Sequence, residues 1–233
     1  ARFGNALKNT ILLTVFISVF ENAFALALAL IVDNVRWGKN FFRSAFYVPV
    51  LVSGIVSGFI WKIMYNYNFG TINTILKDIG MGDFRQDWLG NNKLTLIMIG
   101  VVLVWKGAGY YMIIYLASLQ SVSPDLIEAA QIDGATWWKT LWKVKLPMVM
   151  PSITICVFLT LTNSFKLFDQ NLSLTAGEPA KMSELLALNI FNTFYGRTGW
   201  EGVGQAKAVV FFILVVGIGL LQLRVTRSKE VQQ

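Results

Sequence analysis

The chain has 233 residues, 55% of them apolar and only 14% charged, and its mean hydropathy is +0.56. Soluble domains carry about 25% charged residues, so 17 Phe, 8 Trp and 7 Tyr would lack the polar surface needed to cover them, which excludes a soluble fold. The net charge of +7 comes from Lys and Arg scattered between apolar stretches, a pattern that suits anionic lipid and argues against nucleic acid.

A helix needs about 20 apolar residues to cross a hydrocarbon core of about 30 Å. Five stretches reach that length, at about 9–32, 44–65, 94–119, 149–168 and 206–224, which predicts an all-α, polytopic transmembrane helix bundle. Pro49 is expected to kink the second span, and Gly54 and Gly58, with Ser53 and Ser57, form small-residue spacings that bring helices together. Residues 66–93 are rich in Asn, Gly and Asp, with an apolar piece from Ile72 to Ile79 that reads as a short interfacial helix. Residues 169–205 form a second polar excursion. The chain starts Ala1-Arg2-Phe3 with no signal-peptide pattern, which reads as a cut N-terminus.

Residues 120–148 read as two short helices in a loop. Ser123 can cap the first, Pro124 suits its first turn, Asp125 and Glu128 complement the positive end of its dipole, and Gly134 supplies the residue beyond its end. Thr136 can cap the second, TWWKTLWKV, before Leu146-Pro147. An alternating topology puts this loop on the same side as the joint 33–43 and the tail RVTRSKEVQQ. Lys and Arg divide evenly between the two sides, but short loops near helix ends decide orientation, and there the joint and tail mark this side as cytoplasmic.

The string Glu128-Ala129-Ala130-Gln131-Ile132-Asp133-Gly134, followed by Val144-Lys145-Leu146-Pro147, resembles the EAA loop of bacterial ABC importer permeases: EAA, three residues, Gly, nine residues, an Ile-like residue, one residue, Leu-Pro. Asn9-Thr10, Phe42-Arg43 with Val48-Pro49, Gly70-Thr71-Ile72-Asn73, Trp88-Leu89, Trp105 and Leu174-Thr175-Ala176-Gly177-Glu178-Pro179 extend the resemblance over essentially the whole chain. They are similar to features of the binding-protein-dependent carbohydrate permeases of the maltose-transporter type, from which Glu178, in place of a Gly, departs.

The resemblance implies a type I ABC importer permease core, with one further N-terminal helix usual in the family. It implies a single permease domain over 1–233 with residues 120–148 as a cytoplasmic coupling loop, in the bacterial cytoplasmic membrane with the C-terminus inside. The cargo it implies is a carbohydrate, an oligosaccharide in the first reading and an acidic sugar or glycerol-phosphate-like compound in the second. Partners would be a second homologous permease, two ATP-binding subunits and an extracytoplasmic solute-binding protein, with ATP and Mg on the ATPases and no cofactor, metal or catalytic residue in this chain. No GxxxxGK[ST] stretch for ATP is present. Glu128, Ala129, Ala130, Gly134, Leu146 and Pro147 would be the ATPase-coupling residues, although Trp137, Trp138 and Trp142 taken alone fit an interfacial helix.

Ionisable residues inside spans cost about 2.5–3.5 kcal/mol at a helix centre and so mark pathways or paired packing. Histidine is absent, which removes imidazole bases and His-ligated metals, and the lone Cys156 lies in an apolar run suited to packing. The remaining candidates are Glu21 with Asn22 in the first span, Lys106 in the third, and Asn163 with Lys166 in the fourth. Leu103, Lys106, Gly107 and Tyr110 recur at helical spacing and share one face. By resemblance, that face and the segment from Asn163 to Lys166 line the substrate path. Two bland readings stand beside this one: Lys166 snorkelling to the outer interface, and Lys106 bridging to Glu21.

Overall fold

The computed structural model describes residues 2–35 and 37–227, so Arg36 of the basic joint and residues 228–233 of the tail lie outside the described residues. Helix α1 (Arg2–Asn34) is 33 residues long, which is about 50 Å at 1.5 Å per residue. It forms the spine on which α5 (Asn92–Gln120) and α8 (Leu146–Phe165) pack. Ala25 and Ala29, one turn apart on α1, are fully buried and let α5 approach with Met112, Tyr115 and Leu116, while Val149 and Cys156 bring in α8. The thiol of Cys156 is thus buried among apolar side chains.

The second span is not one kinked helix over 44–65. It is broken into α2 (Lys39–Leu51) and α3 (Gly54–Met64), bent by 96°. Pro49 withholds one amide from α2, Val52 turns extended at φ −72° and ψ 131°, and the Ser53 hydroxyl accepts Val56 N–H at 3.2 Å to start α3 afresh. The glycines of α3 bring it against α9 (Asp169–Leu174), since a Cβ at Gly58 would lie 1.8 Å from Ser173 Oγ and one at Gly54 would lie 2.8 Å from Asp169 Cβ. Among the described residues, four further helices or helix-like segments are long and apolar enough to span, giving five with the broken pair.

Helix α4 (Thr71–Asp78) is the expected short helix of the outer loop, and its buried Asn73 explains two of the recurrent sequence features at once. Asn73 Nδ2 donates to the carbonyls of Tyr67 (3.2 Å) and Gln86 (3.0 Å), and its Oδ1 accepts the Trp88 indole N–H at 3.0 Å.

The segment 120–148 follows α5. Helix α6 (Pro124–Ile132) starts at Ser123, whose hydroxyl accepts Asp125 N–H, and ends at Gly134 with φ +74°. Two bonds, Ala135 N–H to Ala130 O (2.9 Å) and Gly134 N–H to Gln131 O (3.0 Å), close it as a Schellman motif. The second helix, expected as a separate unit over 136–144, is instead continuous with the fourth span. Helix α7 (Trp137–Thr140), capped by Thr136, passes through one π-helical turn, Leu141–Lys145, into α8. The wide turn, with Leu146 N–H bonded to Leu141 O, leads into Pro147 without a break because proline is tolerated in a first helical turn. Helix α10 (Leu186–Phe194) and α11 (Glu201–Arg227) complete the fold, α11 lying on α8 and α10.

Substituting Gly58→Val should separate α3 from α9 and lower stability by about 1–3 kcal/mol, as overpacking does. Thermal unfolding of the purified protein in detergent measures this, with Gly217→Val, where a Cβ meets nothing within 4 Å, as the neutral comparison.

Candidate functional site

A cavity of about 230 Å³ opens between α1, α5 and α8, and six of the seven residues expected to line a substrate path surround it: Glu21, Leu103, Lys106, Gly107, Tyr110 and Asn163. Helical spacing explains the convergence. Ile17 and Glu21 are four apart on α1, Leu103 to Tyr110 form one face of α5, and Thr160, Asn163, Ser164 and Leu167 repeat at three and four residues along the end of α8. Of these, Ile17, Thr160, Ser164 and Leu167 went unnoticed in the sequence, yet counting one turn from Glu21 and Asn163 finds most of them. Gln170 was not findable that way, because α8 ends at Phe165 and α9 folds back to place it in the wall. Lys166, the seventh expected residue, is the exposed residue that ends α8 and lines a neighbouring cavity of about 220 Å³ that shares Asn163, Leu167 and Gln170 with this one.

Gly107 seats Glu21. A Cβ there would lie 1.6 Å from Glu21 Oε1, so the absence of a side chain leaves the carboxylate room against α5. Glu21 is 5% exposed and forms no ion pair with Lys106 within 4.0 Å among the described residues, so the expected structural bridge is not made. A carboxylate, an ammonium, a carboxamide and the Tyr110 phenol therefore face one cavity.

Its neighbour in sequence does different work. Asn22 Oδ1 accepts the Tyr115 hydroxyl at 2.6 Å, and Asn22 Nδ2 donates to Thr160 Oγ1 at 3.0 Å and to Ser18 O at 2.8 Å. Thr160 Oγ1 in turn donates to Cys156 O at 2.7 Å. Asn22 thus ties α1 to α5 and α8 beside the cavity, with its amide fully bonded.

The end of α1 away from the coupling segment carries a second polar cluster that the sequence reading missed. Glu184, 1% exposed, accepts both Arg2 Nε and Arg2 Nη2 at 2.9 Å, Asn189 Nδ2 at 2.8 Å and Asn192 Nδ2 at 2.7 Å. Burial pushes its carboxyl upward, but the Arg2 guanidinium and the two amides outweigh that and hold it below the ordinary range. The Leu174–Pro179 stretch is fixed by Asn171, whose amide donates to Thr175 Oγ1 and Ser183 O and accepts Leu185 N–H. Asn9 Nδ2 donates to Glu184 O at 3.2 Å and Thr10 Oγ1 accepts Leu186 N–H at 2.9 Å, which is the work of the Asn9-Thr10 pair. Glu178 points outward and pairs with Lys181 at 2.6 Å, which keeps its carboxyl low and shows how the loop carries a carboxylate there.

At the opposite end, Asp33 of α1 lies between Lys39 of α2 (3.8 Å) and Lys145 of the π turn (3.7 Å). Below it α6 stands out from the bundle with Glu128 and Ala129 exposed, Ala130 half-buried, and Ile132 and Trp138 exposed at 86% and 65%. Leu146 and Pro147, half-buried, begin α8. A Cβ at Gly134 would meet nothing within 4 Å, so its requirement is conformational, set by the positive φ.

A family profile described as binding-protein-dependent transport system inner membrane component matches residues 21–230. The chain belongs to that family. It is therefore a multi-pass inner membrane component, as its apolar helices require. It is 40% identical over 196 residues to the probable starch degradation products transport system permease protein AmyD of Thermoanaerobacterium thermosulfurigenes, covering 84% of this chain and 65% of that protein, so it spans just under two thirds of this relative's length. It is 31% identical over 230 residues to the sn-glycerol-3-phosphate transport system permease protein UgpA of Rhizobium meliloti, covering 98% of this chain and 77% of that one. Among solved structures, a bacterial ABC transporter involved in import of the acidic polysaccharide alginate shares the fold with a TM-score of 0.88 at 23% identity, over 98% of this chain and 80% of that one.

Two measurements separate the structural residues from those of the cavity. Asn22→Ala should lower stability by about 1–2 kcal/mol, the upper range for interhelical hydrogen bonds in membranes, while Glu21→Gln should leave thermal unfolding in detergent nearly unchanged. For Glu184, whose native pKa is depressed, the stabilisation is fully present above about pH 4.5, where the unfolded carboxyl is ionised, and is lost as pH falls through the lower native value. Unfolding curves followed through that acid window should show this loss in the wild type and a flatter profile in Glu184→Gln.

Proposed function

We propose that this chain is the permease subunit of an ATP-driven importer, and that it moves a carbohydrate, an oligosaccharide in the leading reading, by alternating access through the cavity at Glu21, Lys106 and Asn163. The observation that carries this reading is the mixed wall of that cavity, where Tyr110 supplies an aromatic face and Glu21, Lys106, Asn163 and Gln170 supply donors and acceptors. Sugar hydroxyls need such partners, and a site built from them rejects cargo that leaves them unpaired. The likeness to a permease for starch degradation products supports the same class of cargo.

At about 230 Å³ the cavity is smaller than the roughly 300–1,000 Å³ of typical ligand sites, so an oligosaccharide needs a second wall. A homologous permease across the pore supplies it, and the exposed apolar residues of α3 and α11 are available to that partner or to lipid. Energy comes from two ATPase subunits that hold ATP and Mg, and cargo from an extracytoplasmic solute-binding protein. In this reading the segment 120–148, with Glu128, Ala129, Ala130 and Gly134 exposed or nearly so, docks on an ATPase in the cytoplasm, and the C-terminus would share that side. In this reading hydrolysis belongs to the partners and the chain itself catalyses no reaction.

A second reading, an acidic sugar or a glycerol-phosphate-like cargo, is favoured by Lys106 and Lys166 in adjoining cavities and by the likeness to a glycerol-3-phosphate permease.

The assembled transporter in proteoliposomes discriminates these. Malto-oligosaccharides should stimulate ATP hydrolysis and glycerol 3-phosphate should not. Lys106→Ala and Asn163→Ala should each cut the stimulated rate about tenfold, the value of one hydrogen bond to a charged or well-placed group, while still co-purifying with the ATPases. Glu128→Lys should instead abolish co-purification. Full stimulation in both cavity variants would refute the site.

A further inference from the structure

We propose that the cavity continues outward into a groove between α10 and α11 whose aromatic side chains form additional subsites for the sugar rings of an oligosaccharide. The inference rests on the carbohydrate reading above and goes beyond it by assigning the length of chain that the transporter favours.

Continuity comes first. Asn163, Leu167 and Gln170 line both the central cavity and the neighbouring one of about 220 Å³ that holds Lys166 and Asp169. Phe168 lines that neighbour and also a third cavity, of about 370 Å³, in the groove between α10 and α11. Three spaces therefore adjoin from the centre of the bundle to the surface beside α10.

The aromatic residues follow the same line. Phe168 and Phe191 have ring centroids 5.1 Å apart, and Phe191 and Tyr195 follow at 4.9 Å. Phe191 and Tyr195 are four residues apart and so share a face of α10, with 41% and 72% of their surface exposed. Gly204 lets α11 close against α10, where a Cβ would lie 2.9 Å from Phe194 Cβ, and the next residue, Gln205, places a carboxamide in the groove wall.

Pyranose rings present apolar C–H faces and a rim of hydroxyls. Exposed aromatic rings suit the faces, while Gln205 at one end and Asp169, Lys166 and Gln170 at the other suit the hydroxyls. A lipid acyl chain would fill the aromatic part equally well, but it would leave the polar groups of the middle cavity unmatched where the two spaces meet. The path is an aromatic stretch with polar groups at both ends, Gln205 at one and Asp169, Lys166 and Gln170 at the other, and that alternation suits a saccharide, whose rings carry apolar faces and hydroxyl rims.

The test uses the complete transporter with its ATPases, partner permease and binding protein in proteoliposomes. Photolysis of a diazirine-bearing maltoheptaose should label peptides within 186–208 as well as those around residues 103–110 and 160–170, as read by mass spectrometry. Labelling of the central peptides alone would overturn the groove assignment and leave the carbohydrate reading standing. Labelling of neither would overturn both. A diazirine-bearing phospholipid, or the partner permease, reacting with 186–208 in place of the sugar would also overturn the groove. As a second readout, Phe191→Ala and Tyr195→Ala should lower the ratio of ATPase stimulation by maltoheptaose to that by maltose about three- to tenfold, the value of one aromatic contact, with Phe191→Tyr restoring it. An unchanged ratio in both alanine variants would refute the proposal.

Discussion

The amide of Asn22 is the interaction on which the rest of the bundle depends. Apolar surfaces alone hold membrane helices together weakly, because lipid tails offer the same contacts as a neighbouring helix. What fixes α1, α5 and α8 in one register is a carboxamide that accepts from Tyr115 on one helix and donates to Thr160 on another. An amide so placed accepts one hydrogen bond and has both N–H groups occupied, and any slip of one helix would leave buried polar atoms unpaired. Glu21, one residue earlier, inherits its direction from that register and faces the cavity across Gly107.

Much of this was legible in the sequence because its causes are local. Span lengths follow from bilayer thickness, the face shared by Leu103, Lys106, Gly107 and Tyr110 follows from helical periodicity, and the ends of α6 follow from Ser123 and Gly134. Where the reading departed from the structure, the cause was a contact between distant segments. The second span breaks at Val52 because Ser53 restarts a helix that can dock on α9, more than a hundred residues away in sequence. Glu184 has Asn189 and Asn192 nearby in sequence, but its charged partner Arg2 is 182 residues away and meets it only once the loop 169–205 has folded back on the start of α1.

Several short sequence features turn out to be fasteners of the loops at the end of the bundle away from α6. Asn73 accepts from Trp88 and so holds the loop before α5 against α4. Asn9 and Thr10 bond the backbone around Glu184, and Asn171 closes the loop that contains Glu178. Their polar groups are spent on backbone and side-chain partners within the chain. This separates them from Lys106, which faces the cavity.

The unbroken passage from α7 through the π turn into α8 has a mechanical consequence. Trp137 and Asn163 stand on one nearly continuous helical rod, Trp137–Phe165, so the exposed tryptophans and one wall of the cavity belong to a single element. Asp33, set between Lys39 and Lys145, ties the foot of α1 to that rod and to the start of the broken pair α2 and α3. One helix and one shared carboxylate thus join the exposed tryptophans, the cavity wall and the foot of α1.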